Sequence, residues 1–333
     1  MKFEDLLNDL RNKIYKPIYL LHGEEEYFID IISDYIEDEI LEEADKEFNQ
    51  TILYGKDVNA GTIIDTARRY PMMSNYQVVI VKEAQVLPDI DELKPYAEKP
   101  VESTILVLCH KHKTYDTRKG LAKALKKKGV IFKSDRMYDN KLPAWINGQV
   151  KSEGYTITPE ATRLLTASLG SDLTKIRMEL EKLFISVDKK TAIDETVIEE
   201  NIGISKDFNI FELQNAMSDG DVYKANLIIK YFGANPKTNP FVLTITLLYQ
   251  YFIKILIFHK IKDKSKDNVI AAELSVNPFF VRDYKKAARR FSLPKAIKAI
   301  NLLREYDLKF KGVNNASANE GELLKELVFK LMH

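Results

Sequence analysis

The sequence predicts a parallel α/β domain followed by a run of helices, and three observations carry that fold class. Short apolar runs, Ile18-Tyr19-Leu20-Leu21, Val78-Val79-Ile80-Val81 and Thr104 to Leu108, alternate with helical patterns over the first 140 residues. Strands this apolar belong in a sheet covered on both faces, as parallel sheets are. From about Leu142 the strand signals fade, and Pro, Gly and Asn breaks separate helical segments to the end. The expected division is α/β at 1–140, a small helical domain at 141–208 and a larger helical domain at 209–333.

Composition excludes several classes. The 333 residues are 45% hydrophobic and 30% charged, a balance typical of a globular chain with a sizeable core. No run of about 18 apolar residues stands out, so no membrane span is expected. The start, MKFEDLLNDLRNK, lacks the apolar stretch of a signal peptide. A single cysteine, Cys109, sits inside an apolar strand, which points to packing and to a reducing, cytoplasmic setting. Charge is uneven. Residues 1–208 hold 30 Lys and Arg against 37 Asp and Glu, while 209–333 hold 20 against 12. The net of +8 in the last part fits an acidic partner, nucleic acid or protein, and also fits a helical surface kept soluble by lysines.

In chain order, a strand at 18–21 ends at His22-Gly23, and Glu24-Glu25-Glu26 opens a helix with Phe28, Ile31, Ile32, Tyr35 and Ile36 on one face. Acidic residues suit the positive end of a helix dipole. A helix at 60–69 is expected to stop before Pro71, which pushes its preceding residue out of the α region. Then come a strand at 78–81, a helix at 90–98, a strand at 104–108, a helix at 117–128 and a strand at 130–133. Lys126-Lys127-Lys128-Gly129 reads as ordinary helix termination. The next helices begin at Pro143, Pro159 and Ser171-Asp172, with Trp145 expected as a core anchor. Seven more follow at 210–218, 222–231, 240–261, 268–274, 278–290, 294–310 and 320–332. The helix from Phe241 is too apolar for a free surface, and Lys311 to Gly321 is expected to be a mobile loop.

Strand, glycine turn, helix is where a nucleotide-binding loop would lie. Its chemistry is absent. A phosphate loop needs G-x-x-x-x-G-K-[ST], but here one glycine precedes three carboxylates that repel a triphosphate. After the 78–81 strand, where an ATPase of this kind places a metal-holding Asp, stands Lys82, whose ammonium opposes a cation. No cofactor and no metal are therefore expected, and His110-x-His112 alone is weak evidence for zinc.

Between helix and strand lies Tyr70-Pro71-Met72-Met73-Ser74. Adjacent residues at a broken helix end cannot both face one core, so at least one methionine is expected to point outward. On this stretch alone, core packing and insertion into a partner's pocket both stay open.

The order of parts resembles the delta subunit family of the bacterial DNA polymerase III clamp loader over essentially the whole chain. The residues that carry the resemblance are Pro17 to Glu25, Tyr70-Pro71-Met72-Met73, Leu121 to Gly129, Gly170-Ser171-Asp172-Leu173 with Glu179 to Leu183, and Arg289-Arg290-Phe291-Ser292. The resemblance implies a degenerate AAA+ (RecA-like) parallel-sheet domain, a helical lid and a helical collar that joins a ring. It implies a subunit with no catalytic residues of its own, ATP being bound only by partner subunits. It implies that Met72 and Met73, flanked by Tyr70, Pro71 and Ser74, enter a pocket on the sliding clamp and help open it. Some members carry leucine and phenylalanine where this chain has its two methionines. The implied partners are the clamp (beta subunit), the ATPase and delta-prime-like subunits, and primed DNA, with no membrane contact. Tyr306 and Phe310 lie near a DNA-facing aromatic position but do not match it. The rival readings are an active ATPase, which Gly23-Glu24-Glu25-Glu26 and Lys82 disfavour, an inert scaffold subunit of such a ring, and a stand-alone DNA-binding protein.

Overall fold

The computed structural model describes residues 1–138, 141–314 and 318–333. Two compact units divide the chain, Met1–Met137 and Tyr138–His333. The boundary expected at 140/141 adjoins Asp139 and Asn140, which lie outside the described residues, as do Asn315 to Ser317 of the expected loop.

The first unit runs α1 (Phe3–Arg11), β1 (Ile18–Gly23), α2 (Glu26–Glu39), α3 (Glu43–Asn49), β2 (Gln50–Tyr54), α4 (Ala60–Ala67), β3 (Gln77–Lys82), α5 (Lys94–Glu98), β4 (Thr104–His110), α6 (Gly120–Lys128) and β5 (Val130–Ser134). Its five strands form one parallel sheet in the order β2-β3-β4-β1-β5. The sequence predicted four of them. The missed strand, β2, lies at the sheet edge and is only half-buried, so it lacks the continuous apolar run of β1 and β4.

Alternate residues of the central strands supply two cores. Tyr19, Leu21, Ile80 and Val107 pack with Leu6 and Leu10 of α1 and Ile29, Ile32 and Ile36 of α2. Ile18, Leu20, Val79 and Leu106 pack on the opposite face with Ile63 of α4, Tyr96 of α5 and Leu121 and Leu125 of α6. The helix after β1 and the helix after β4 thus cover different faces. The crevice beyond the carboxyl ends of these neighbouring strands is the topological switch point, where ligands of such sheets bind. Cys109 is buried in the first core, where burial pushes its thiol up to about 11, as expected of a packing residue.

The second unit is helical: α7 (Leu142–Ser152), α8 (Pro159–Leu169), α9 (Leu173–Ser186), α10 (Glu195–Ile202), α11 (Ile210–Asp219), α12 (Val222–Ala234), α13 (Phe241–Lys260), α14 (Asp267–Leu274), α15 (Val281–Arg290), α16 (Leu293–Phe310) and α17 (Glu320–Met332). Side-chain caps set the starts of several of these helices. Thr158, Asp172, Asp194, Asn209 and Asp221 each accept a first-turn N–H, and Asn319 forms a reciprocal capping box with Glu322.

Helices α11 to α17 share one core. Arg163 of α8 reaches it, its guanidinium lying 3.7 Å from the Phe211 ring and 4.3 Å from the Phe280 ring while it donates to Gln214 and pairs with Asp283. Helix α13 corrects one expectation, since by length and composition it is apolar enough to cross a membrane. Its Phe241, Ile245, Leu248, Phe252 and Ile255 instead bury against the other helices. Trp145 is half-buried rather than a core anchor, because α7 turns Leu142, Ile146 and Val150 inward. Tyr306 is buried, and Phe310 stacks on Phe241 at 4.8 Å.

Candidate functional site

The segment after α4 is mounted on the sheet. Asn59 caps the start of α4 by accepting the Thr62 N–H, and Ile63, Thr66 and Ala67 face inward. The helix ends at Ala67, two residues before the predicted end at 69, and Pro71 does not set that end. Long-range hydrogen bonds hold the last carbonyls instead. Thr104 Oγ1 donates to the Ala67 carbonyl at 2.9 Å, joined by the Tyr96 hydroxyl at 3.3 Å, and Gln77 Nε2 donates to the Thr66 carbonyl at 2.9 Å. Gln77 and Thr104 are the buried first residues of β3 and β4. The helix terminus is therefore tied to the rim of the sheet, with the Thr66 and Ala67 carbonyls satisfied.

The chain then leaves the surface. Asn49, the last residue of α3 and only 2% exposed, grips it through the main chain. The Met72 N–H donates to Asn49 Oδ1 at 2.6 Å, and Asn49 Nδ2 donates to the Met72 carbonyl at 3.0 Å. Met73 takes the left-handed conformation, φ 56°, which costs a non-glycine residue energy and turns the chain sharply. That turn solves the geometry of neighbouring side chains. Met72 is 62% exposed and Met73 102%, so both methionines point outward where at least one was expected. Tyr70 is exposed beside them, and Pro71 and Ser74 are half-buried. Sequence reasoning missed Asn49, Gln77, Thr104 and Tyr96. Polar residues at the starts of otherwise apolar strands were the available signal for Gln77 and Thr104.

At the switch point, the turn after β1 is stitched to the end of β5. The Ser134 carbonyl accepts the Glu24 N–H at 3.0 Å and the Glu25 N–H at 3.4 Å, while Ser134 Oγ donates to the Glu25 carbonyl at 2.6 Å. These amides occupy the place from which a phosphate loop would donate. The Glu25 carboxylate caps α2 by accepting the Tyr27 N–H. Lys82 pairs with Glu37 at 2.8 Å. His110 is buried and His112 exposed, so the two do not converge. Among the described residues no group of three His, Cys, Asp or Glu could hold a metal ion.

His22 lies buried below this turn, its Nδ1 accepting the Tyr115 N–H at 3.1 Å. Burial first, then the neighbouring His110 and Lys133, pull its pKa down from 6.5 to about 4. The unfolded chain therefore binds a proton more readily between those values. The contribution of His22 to stability is complete above pH 6.5 and is lost as pH falls to about 4, a loss of roughly 3 kcal/mol. Urea unfolding at pH 7, 5.5 and 4.5 should show that loss, and His22→Gln should flatten the slope across the window.

Comparison with known proteins places this architecture. The family model for DNA polymerase III, delta subunit, matches residues 19–135, and that for its C-terminal domain matches residues 207–329. The chain belongs to the DNA polymerase III delta subunit family. Among members of the family, the DNA polymerase III subunit delta of Bacillus subtilis (strain 168) is 24% identical over 333 residues, covering 97% of this chain and 94% of the relative. The probable DNA polymerase III subunit delta of Aquifex aeolicus (strain VF5) is 21% identical over 330 residues, covering 94% and 83%. In solved structures, the Bacillus subtilis DNA clamp loader delta protein covers 99% of both chains with a TM-score of 0.58 and 22% identity, a likeness of fold. The α/β plus all-α class expected from the sequence is thus the class of this delta family.

Proposed function

We propose that this delta-family chain is the non-ATPase subunit of a clamp-loading ring and that it binds the ring-shaped sliding clamp and holds it open for loading on primed DNA. The observation that carries the reading is the tip itself. Two adjacent methionines, Met73 wholly and Met72 largely exposed, stand at a point tied to the sheet rim on one side and to Asn49 on the other. Flexible, polarizable thioethers suit an apolar pocket on a partner. Burying one such side chain contributes about 1.5–3 kcal/mol. Moving a closed ring from mostly shut to mostly open takes about 5.5 kcal/mol of differential binding. The pair supplies roughly 3 kcal/mol toward that figure to the extent that the open clamp offers it the better pocket, and Tyr70 and Pro71, which flank it, supply further contact area.

The stitched turn at Gly23, the three carboxylates that follow it and the Lys82–Glu37 pair support a subunit that takes no nucleotide of its own. ATP then acts in the partner subunits, whose ring exposes or withdraws the tip. In this reading residues 1–140 dock on the clamp, 141–208 form the lid and 209–333 join the collar with the ATPase and delta-prime-like subunits. The setting is the cytoplasm, where the clamp and the primed DNA are met.

A clamp carrying a fluorophore pair across one of its interfaces tests the proposal. The purified chain should lower energy transfer saturably without nucleotide, and ATP should add nothing. An unchanged signal, or one that needs ATP with this chain alone, would contradict it.

A further inference from the structure

We infer that Asn49 is a positioning residue that sets the Met72-Met73 tip in its docking geometry before any partner arrives; this rests on the proposed role of the tip. A side-chain amide carries an acceptor oxygen and two N–H donors at fixed separation. Asn49 spends its acceptor and one N–H on the two main-chain groups of a single residue, Met72, much as a strand partner would. Its own position is secured twice. It is the last residue of α3, immediately before β2, and its Nδ2 also donates to the Asp45 carbonyl at 3.1 Å. Being almost wholly buried, it holds the loop from beneath and leaves both methionine side chains free.

The left-handed Met73 shows why such a hold is needed. An L residue is disfavoured there, so a free loop would relax away from that conformation and lose the outward turn. Asn49 fixes the residue just before the turn. The hydrogen bonds to the Thr66 and Ala67 carbonyls fix the segment five to six residues earlier. With both ends held, docking need not also order the loop, and affinity rises because a larger fraction of molecules is already competent.

Backbone hydrogen exchange on the unaltered chain gives the first readout. The Met72 amide should be protected although its side chain is in solvent, and free exchange there would overturn the inference without any variant. Asn49→Ala should then release protection over residues 70–76, leave the sheet amides protected, and weaken binding to purified clamp about tenfold, in proportion to the lost competent fraction. Met72→Ala with Met73→Ala runs alongside. If that double variant loses affinity and Asn49→Ala does not, the inference fails and the proposed function stands. If the double variant binds as well as the unaltered chain, the tip is not the docking element and both fall. Should Asn49→Ala not fold, Asn49→Asp keeps the acceptor for the Met72 N–H and loses the donor. It should shift exchange at residues 70–76 and clamp affinity together, and movement of one without the other would overturn the inference.

Discussion

Replacing Gly23 by alanine should destabilise the first unit by about 3–5 kcal/mol, a large share of a typical domain's total. Gly23 has φ 147°, and a Cβ there would lie 1.9 Å from the Ser134 carbonyl oxygen and 2.6 Å from its carbon. Both are main-chain atoms of β5, so no side chain can swing aside. Relief requires β5 to move, which gives up the Gly23–Ser134 end of the β1–β5 pairing and the two amides that the Ser134 carbonyl accepts. Gly203 makes a useful contrast. It sits in the left-handed helical region at φ 81° with open space around it, so alanine there should cost only about 1 kcal/mol. Urea unfolding followed by circular dichroism would compare the two. A Gly23→Ala midpoint within error of the unaltered chain would show that the stitched turn is not the tight contact described.

Much of this fold was legible because burial writes itself into composition. Strands β1, β3 and β4, covered on both faces, each carry an unbroken apolar run, and helices such as α8, α9 and α11 announce themselves with Thr, Asp and Asn caps. What escaped had weak local signals. The seven residues of α3 bury only Asn49, and β2 is an edge strand paired on one side. Trp145 misled because size was taken for burial, whereas the phase of α7 is set by Leu142, Ile146 and Val150. At the candidate site the break around Pro71 was readable, and so was the outward placement of one methionine. The end of α4 was not, since it depends on bonds from Gln77 and Thr104, 11 and 37 residues downstream of the carbonyls they hold. Nor was the outward turn of both methionines, which depends on a grip from Asn49, 23 residues upstream. Helix caps are local and can be read from neighbours; these contacts appear only once the sheet is assembled.

The second large effect concerns the tip. Met72 and Met73 contribute nothing to either core of the first unit, so exchanging both for alanine should leave its stability within about 0.5 kcal/mol. Their worth lies in what they bury on a partner. If each enters an apolar pocket, truncation to alanine removes most of about 1.5–3 kcal/mol per side chain, or roughly 3 kcal/mol in all. That corresponds to a loss of affinity of roughly 10²-fold or more. Tyr70 and Pro71 would still touch the clamp, so weak residual binding is expected. The deciding measurement is surface plasmon resonance of the full chain over immobilised sliding clamp, comparing the unaltered protein with the Met72→Ala, Met73→Ala double variant at matched unfolding midpoints. Docking through the Met72-Met73 tip predicts a drop of about two orders of magnitude or more in affinity; equal affinities for the two proteins would rule that docking out.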